Sequence, residues 1–278
     1  MTFRFQWLIA VVLAAASSDK AHAVVVAKWQ FDDGANFLND SSGNGHHLTD
    51  AGIASFAAPT YSPDKPTSAT GDGSAQFNGS TSFAQTVKPL DISRYDWVRF
   101  SYWMKVEGPT LDMMILENSF DTNFQVNTGS TFHLANASGV GGGGKTLIAH
   151  RTIGGFSSDS TTLDVGPAQT QPDWHFIQVE YDFLEPAADE RIKLFVDGVE
   201  GSTLRPISGG HVWERLRDDL LYVGGRREFA GNPSLLFTGK LDDLTIEATP
   251  EPGTLTLLGI GAASLSLSTW RKLRRAIC

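Results

Sequence analysis

Cysteine is nearly missing from this chain: the single one is Cys278, the last of 278 residues. That excludes a disulfide framework and any cysteine-based zinc site. Basic charge is also scarce, with 22 lysines and arginines against 31 aspartates and glutamates and a formal net charge of −9. Six of those bases and two of those acids lie in 1–23 and 251–278, so the middle holds 16 bases against 29 acids, a net −13. An acidic domain of this kind repels phosphate backbones, which excludes nucleic acid as a partner. Between 24 and 249 there is no sustained helical period, no internal repeat and no linker that would split the stretch. Gly 28 and Pro 12 are ordinary counts, so collagen-like and low-complexity classes are excluded too.

What is present begins with the two ends. Arg4, the apolar run from Trp7 to Ala16, and the small-x-small site Ala21-His22-Ala23 read as a secretory signal peptide over 1–23, cleaved before Val24. The run is too short to span a bilayer and is followed by Ser17-Ser18-Asp19-Lys20. At the other end, Pro250-Glu251-Pro252 precedes an uncharged stretch from Gly253 to Trp270, closed by Arg271-Lys272-Leu273-Arg274-Arg275. That stretch is just long enough for one membrane-spanning helix, with the basic cluster kept on the cytoplasmic side. Order and residues together resemble the PEP-CTERM sorting signal of bacteria, over 250–275. The resemblance implies recognition by an exosortase, a membrane transpeptidase, and delivery to the cell surface or extracellular matrix. Serine and threonine at 254, 256, 264, 266, 268 and 269 fit a transient anchor.

The middle, 24–249, reads as strands. In His175 to Phe183, Ile177, Val179, Tyr181 and Phe183 share one face while Gln178, Glu180 and Asp182 take the other. Ile192, Leu194 and Val196 alternate in the same way and run into Asp197-Gly198, a tight-hairpin signal. Further strands are expected at 24–31, 75–77, 82–86, 100–106, 113–117, 131–134, 146–150, 220–223 and 236–246, with one short helical piece at 212–219. So many strands in one domain predict an all-β fold of two stacked antiparallel sheets.

Seven pieces in order then resemble the LamG-like jelly-roll family, of concanavalin A-like fold. They are Trp29-Gln30-Phe31-Asp32, Asp40-Ser41-Ser42-Gly43-Asn44-Gly45, Ala75-Gln76-Phe77-Asn78-Gly79, Phe100-Ser101-Tyr102-Trp103, Trp174-His175-Phe176-Ile177, Leu194-Phe195-Val196-Asp197-Gly198 and Phe237-Thr238-Gly239-Lys240-Leu241-Asp242-Asp243-Leu244. The resemblance implies a jelly-roll sandwich with adjacent terminal strands. It also implies a binding or adhesion module, often for carbohydrate or protein, and in many members a structural calcium ion.

One carboxylate conflicts with its surroundings. A period of two places Asp242 on the face of Leu244 and Ile246, inward, with Asp243 and Thr245 on the other. A bare buried carboxylate is costly, so either backbone hydrogen bonds or a hard cation must satisfy it. Calcium takes six to eight oxygens. Asp32 and the oxygen-rich loop with Asp40 and Asn44 would join Asp242 if the first and last strands meet. The ion would then pin the ends of the sandwich.

Other signals point to ordinary structure. Gly139 to Thr146 matches the Walker A pattern, but Thr146 to His150 reads as strand where a helix is required, so the glycines form a hairpin loop. Glycoside hydrolysis needs two carboxylates across a cleft. Glu180 and Asp182 have the spacing but fall on the polar face of a regular strand, and Asp189-Glu190 lies in a turn. His46-His47 is a loop pair. Carbohydrate sites need exposed aromatics. Of the seven tryptophans, Trp7 and Trp270 lie in sorting segments, and Trp29, Trp103 and Trp174 match family strand positions assigned to the core. Trp97 and Trp213 remain as ligand-contact candidates. The sequence thus predicts an exported, non-catalytic binding or structural protein with extracellular polysaccharide or surface glycan as ligand, the alternative being a glycan-active hydrolase or lyase.

Overall fold

The computed structural model describes residues 23–250 except 51, 54, 70, 108–112, 119–130, 138–145, 154–156, 165–172, 186, 188–189, 206–214, 217 and 228–232. The expected signal peptide, apart from Ala23, and the expected sorting helix at 253–270 lie outside these residues. The chain divides into Val25–Ala248 and a second unit formed by its two ends; the first is described below. Among the described residues no helix is long and apolar enough to cross a membrane.

The strands described are β1 (Val24–Trp29), β2 (Leu48–Thr49), β3 (Thr60–Ser62), β4 (Ser74–Asn78), β5 (Ala84–Thr86), β6 (Tyr95–Val106), β7 (Met113–Asn118), β8 (Thr131–Ala137) and β9 (Thr146–Ile153). They continue with β10 (Ser157–Asp164), β11 (His175–Asp182), β12 (Ile192–Val196), β13 (Val199–Glu200), β14 (Ser202–Arg205), β15 (Leu221–Val223), β16 (Arg226–Arg227), β17 (Pro233–Ser234) and β18 (Thr238–Pro250). Sheet A has the order β13-β12-β11-β6-β18-β4-β3, with β1 beside β18; sheet B has the order β14-β10-β9-β8-β7-β15-β5-β2. First and last strands are therefore neighbours, and the fold is the two-sheet antiparallel sandwich the sequence predicts.

The alternation explains the register. Ile177, Val179 and Tyr181 of β11 sit opposite Val196, Leu194 and Ile192 of β12, and all six are buried. Each such side chain contributes roughly 1.5–3 kcal/mol on burial, so a one-residue slip that turned the row outward is strongly disfavoured. The hairpin between β12 and β13 closes over Asp197 and Gly198, both at positive φ (52° and 81°), as the Asp-Gly pair requires. The core gathers Trp29, Phe77, Phe100, Tyr102, Phe237, Leu244 and Ile246 between the sheets.

Two expectations are corrected. The described part of 212–219 is not helical. Leu216 is buried in the core, and Asp218 accepts hydrogen bonds from the backbone of Ile92 and Ser93, both at 2.7 Å, which ties this segment to the 90–93 loop instead of to a helical turn. Trp103 and Trp174 are half-buried rather than core residues. On β6 the inward row is Val98, Phe100, Tyr102 and Met104, one position out of phase with Trp103.

Candidate functional site

The outer face of sheet A is set by the pairing of β6 with β11, which places Trp97 opposite Asp182, Arg99 opposite Glu180, Ser101 opposite Gln178 and Trp103 opposite Phe176. Because the other row of each strand fills the core, these residues are left on the solvent side and are half-buried. At one end of the face, Trp97, Glu180 and Asp182 join Glu185, Glu190, Arg191 and Lys193 around an open groove of about 120 Å³.

Charge in the groove is held in place. The Arg99 guanidinium lies 5.3 Å from the centre of the Trp97 ring. Its Nε donates to Glu247 Oε2 at 2.9 Å, its Nη2 pairs with the same oxygen, and its Nη1 lies 3.7 Å from Glu180 Oε1. Burial raises the Glu180 carboxyl above its ordinary value, opposed by Arg99 and Lys193. Asp182 Oδ1 accepts from the backbone of Leu184 and Glu185, and Arg191 Nε donates to the Glu185 carbonyl at 2.9 Å, which orders the turn that walls the groove. Lys193 pairs with Glu190. An indole surrounded by fixed carboxylates and cations offers an apolar face and a rim of acceptors and donors. That combination suits a polyhydroxylated ligand.

A second locus lies where β1 runs beside β18. Asp242 is fully buried; its Oδ1 accepts from the Asp243 amide at 2.8 Å, and its Oδ2 has no hydrogen-bond partner. Burial, with the neighbouring Asp243 carboxylate and Asp32 adding to it, pushes the Asp242 carboxyl up to about 8, against the Asp243 amide and Lys65. Asp243 sits at φ 48°, which breaks the strict alternation: Leu241 and Asp242 are both fully buried. Asp243 Oδ1 is likewise buried without a partner. Asp32 Oδ1 accepts from the Asp72 amide at 2.7 Å, and a β-carbon on Gly71 would fall 2.0 Å from that oxygen. Orphaned carboxylate oxygens of this kind fit a hard cation in their donor chemistry. Among the described residues, however, no group of three or more histidines, cysteines, aspartates or glutamates is arranged to hold a metal.

The remaining residues singled out in the sequence fall as follows. Asp40 is occupied by the loop it organises, accepting from the amides of Lys28 and Ser42 at Oδ1 and of His46 at Oδ2. The Asn44 side-chain amide donates to the carbonyls of Val25 and Val26. The structure thus brings Asp32 within electrostatic reach of Asp242, while Asp40 and Asn44 tie their loop to β1. His47 Nδ1 accepts from the Asp40 amide, which fits a loop role for the pair. Trp213 lies outside the described residues. The residues after Lys145 form β9, so the Walker A pattern lacks its helix. Glu185, Arg191 and Lys193 are groove residues that the sequence reading misses. Their signal is the alternation of Arg191 and Lys193 with the apolar row, once β12 is placed beside β11.

The PEP-CTERM protein-sorting motif matches residues 248–275, so the chain is an exported protein sorted through the membrane, and the motif implies exosortase-mediated processing. No curated protein matches it. Among solved structures it is similar to domain 4 of AbnA, a GH43 extracellular arabinanase from Geobacillus stearothermophilus, in complex with arabinotriose. That match has 19% identity and a TM-score of 0.55, over 85% of this chain and 98% of the other. It is also similar to the botulinum neurotoxin serotype C1 binding domain, at 12% identity and TM-score 0.52, over 86% of this chain and 52% of the other. Mouse laminin alpha1 domains LG4-5 match at 18% identity and TM-score 0.43, over 66% of this chain and 46% of the other. The first two likenesses are of fold, a jelly-roll sandwich.

Proposed function

We propose that this exported protein is a non-catalytic carbohydrate-binding protein of the bacterial cell surface or exopolysaccharide matrix. Its sugar site is the Trp97 groove on the outer face of sheet A. The observation that carries the reading is the half-buried indole of Trp97, cornered by Arg99 and bordered by Glu180, Asp182, Arg191 and Lys193. Domain 4 of AbnA, of the same fold and in complex with arabinotriose, supports sugar as the ligand class. Trp213 supplies a second ligand contact. The 253–270 segment anchors the chain transiently in the inner membrane until exosortase acts. A structural calcium ion at the Asp32 and Asp242 corner pins the terminal strands.

A glycan-active enzyme is the second reading, and it rests on the geometry of Glu180 and Asp182. Two residues apart on one face of a strand, the acids are about 7 Å apart, inside the range for paired catalytic carboxylates. Burial raises the Glu180 carboxyl, as it would that of a general acid.

The test loads the purified exported protein on immobilised arabinan, xylan and β-glucan, and on alginate and polygalacturonate, while assaying released reducing ends and unsaturated products. Retention on a neutral polysaccharide, weakened about tenfold or more by Trp97→Ala, with no product, is the expected result. Product formation abolished by Glu180→Gln would establish the enzyme. Silence on every matrix would remove the carbohydrate reading.

A further inference from the structure

We infer that the sugar site extends from Trp97 along the outer face of sheet A to a second aromatic platform at Trp103 and Phe176, so that the protein grips the interior of a neutral polysaccharide chain; this rests on the carbohydrate reading above. Trp103 lies on the same face of β6 as Trp97, three alternations further on, roughly 20 Å away at the rise of an extended strand. That distance spans several sugar rings. The register sets Trp103 opposite Phe176, and the two rings pack at 5.0 Å with 46° between their planes. Both remain half-buried, with part of their surface open to solvent.

Between the platforms the face carries only hydrogen-bonding side chains on these two strands: Arg99 and Ser101 on β6, Gln178 and Glu180 on β11. Two ordinary accounts of a sheet face fail to produce this pattern. A face packed against another layer would carry an apolar row, and a merely solvated face would not space large aromatics at its two ends. Aromatic platforms separated by donors and acceptors match the alternating apolar faces and hydroxyls of a sugar chain.

The charges along the stripe are paired with one another, which decides the class of chain. Arg99 is matched by Glu247 and Glu180 at one end. At the other, Lys105 and Lys240 share Asp64 Oδ2 at 2.7 and 2.6 Å, and Lys240 reaches Glu107 at 2.7 Å. Trp174 Nε1 points to the same Asp64 carboxylate at 3.4 Å. These cations are engaged and do not attract a polyanion, and four carboxylates line the Trp97 groove. A neutral chain is the complementary ligand; a polyuronate is repelled.

The experiment is titration calorimetry of the exported protein with arabino-oligosaccharides and cello-oligosaccharides from di- to hexasaccharide, for the native chain, Trp97→Ala, Trp103→Ala and Trp103→Tyr, with melting curves confirming folding. Affinity should rise about tenfold or more with length in at least one series. Trp103→Ala should abolish that rise while leaving disaccharide binding intact, and Trp103→Tyr should restore most of it. A length-independent affinity, with Trp103→Ala silent, would confine the site to the Trp97 groove and overturn the inference while sparing the carbohydrate reading. Binding to none of the oligosaccharides or to the parent polysaccharides would overturn both. A shift in sedimentation on Trp103→Ala, without change in sugar affinity, would make the face a contact between copies and overturn the inference.

Discussion

Asp242 is fully buried with one carboxylate oxygen lacking a partner, a condition that a proton or a cation relieves. In calcium-free solution the proton is the simpler remedy. Its folded value of about 8 lies above the ordinary 3.8, so the native state binds that proton more tightly than the unfolded chain. The associated stability is fully present below about pH 4 and is lost as pH rises through 8. Thermal melts in chelator should therefore show the native protein weakening between pH 5 and 8.5 by a few kcal/mol, with a clearly shallower loss for Asp242→Asn. Millimolar calcium at pH 8 should raise the melting temperature of the native protein and leave that of Asp242→Asn unmoved. Equal pH profiles for the two proteins, and no response to calcium, would contradict the assignment of this corner.

At the scale of elements, close approach at the turns is what lets the two sheets meet. Gly224, between β15 and β16, has φ 80°, and a β-carbon there would lie 2.2 Å from Cδ1 of Phe77, which packs on Phe237. Gly224→Ala should cost roughly 2–4 kcal/mol in urea unfolding, from backbone strain plus overpacking. Gly52→Ala has the same sign of φ but nothing within 4 Å, and should cost only about 1 kcal/mol. Equal losses for the two would mean that conformation alone, without crowding against Phe77, sets the cost. Elements differ in how far they can be read from the sequence. β11 and β12 are legible because one face of each is uniformly apolar while the other is polar apart from Phe176 and Phe195. β10, Ser-Ser-Asp-Ser-Thr-Thr-Leu-Asp, is not, since its single apolar residue defines no face. β6 carries aromatics on both faces, so alternation divides Trp97 and Trp103 from Phe100 and Tyr102 without saying which row faces inward; pairing with β11 decides it. The groove is half-legible for the same reason: Trp97 stands out, whereas Glu180 and Asp182 read as ordinary surface until the neighbouring turn closes around them.

Over the whole molecule, an acidic sandwich is joined to a sorting motif at 248–275. The membrane-directed tail carries the basic cluster and the domain carries the negative charge, so the domain has little electrostatic attraction to anionic lipid. Among the described residues, the outer face of sheet A is where aromatics and paired charges are set out in rows. The most direct measurement is an NMR titration of the tryptophan indole signals of the exported protein with the neutral oligosaccharide that binds best. The signals of Trp97 and Trp103 should move together and saturate at one ligand concentration, while that of Trp29, sealed in the core, stays still. Movement of the Trp213 signal alone, or no movement of any indole in the presence of a retained sugar, would contradict a glycan site on this face.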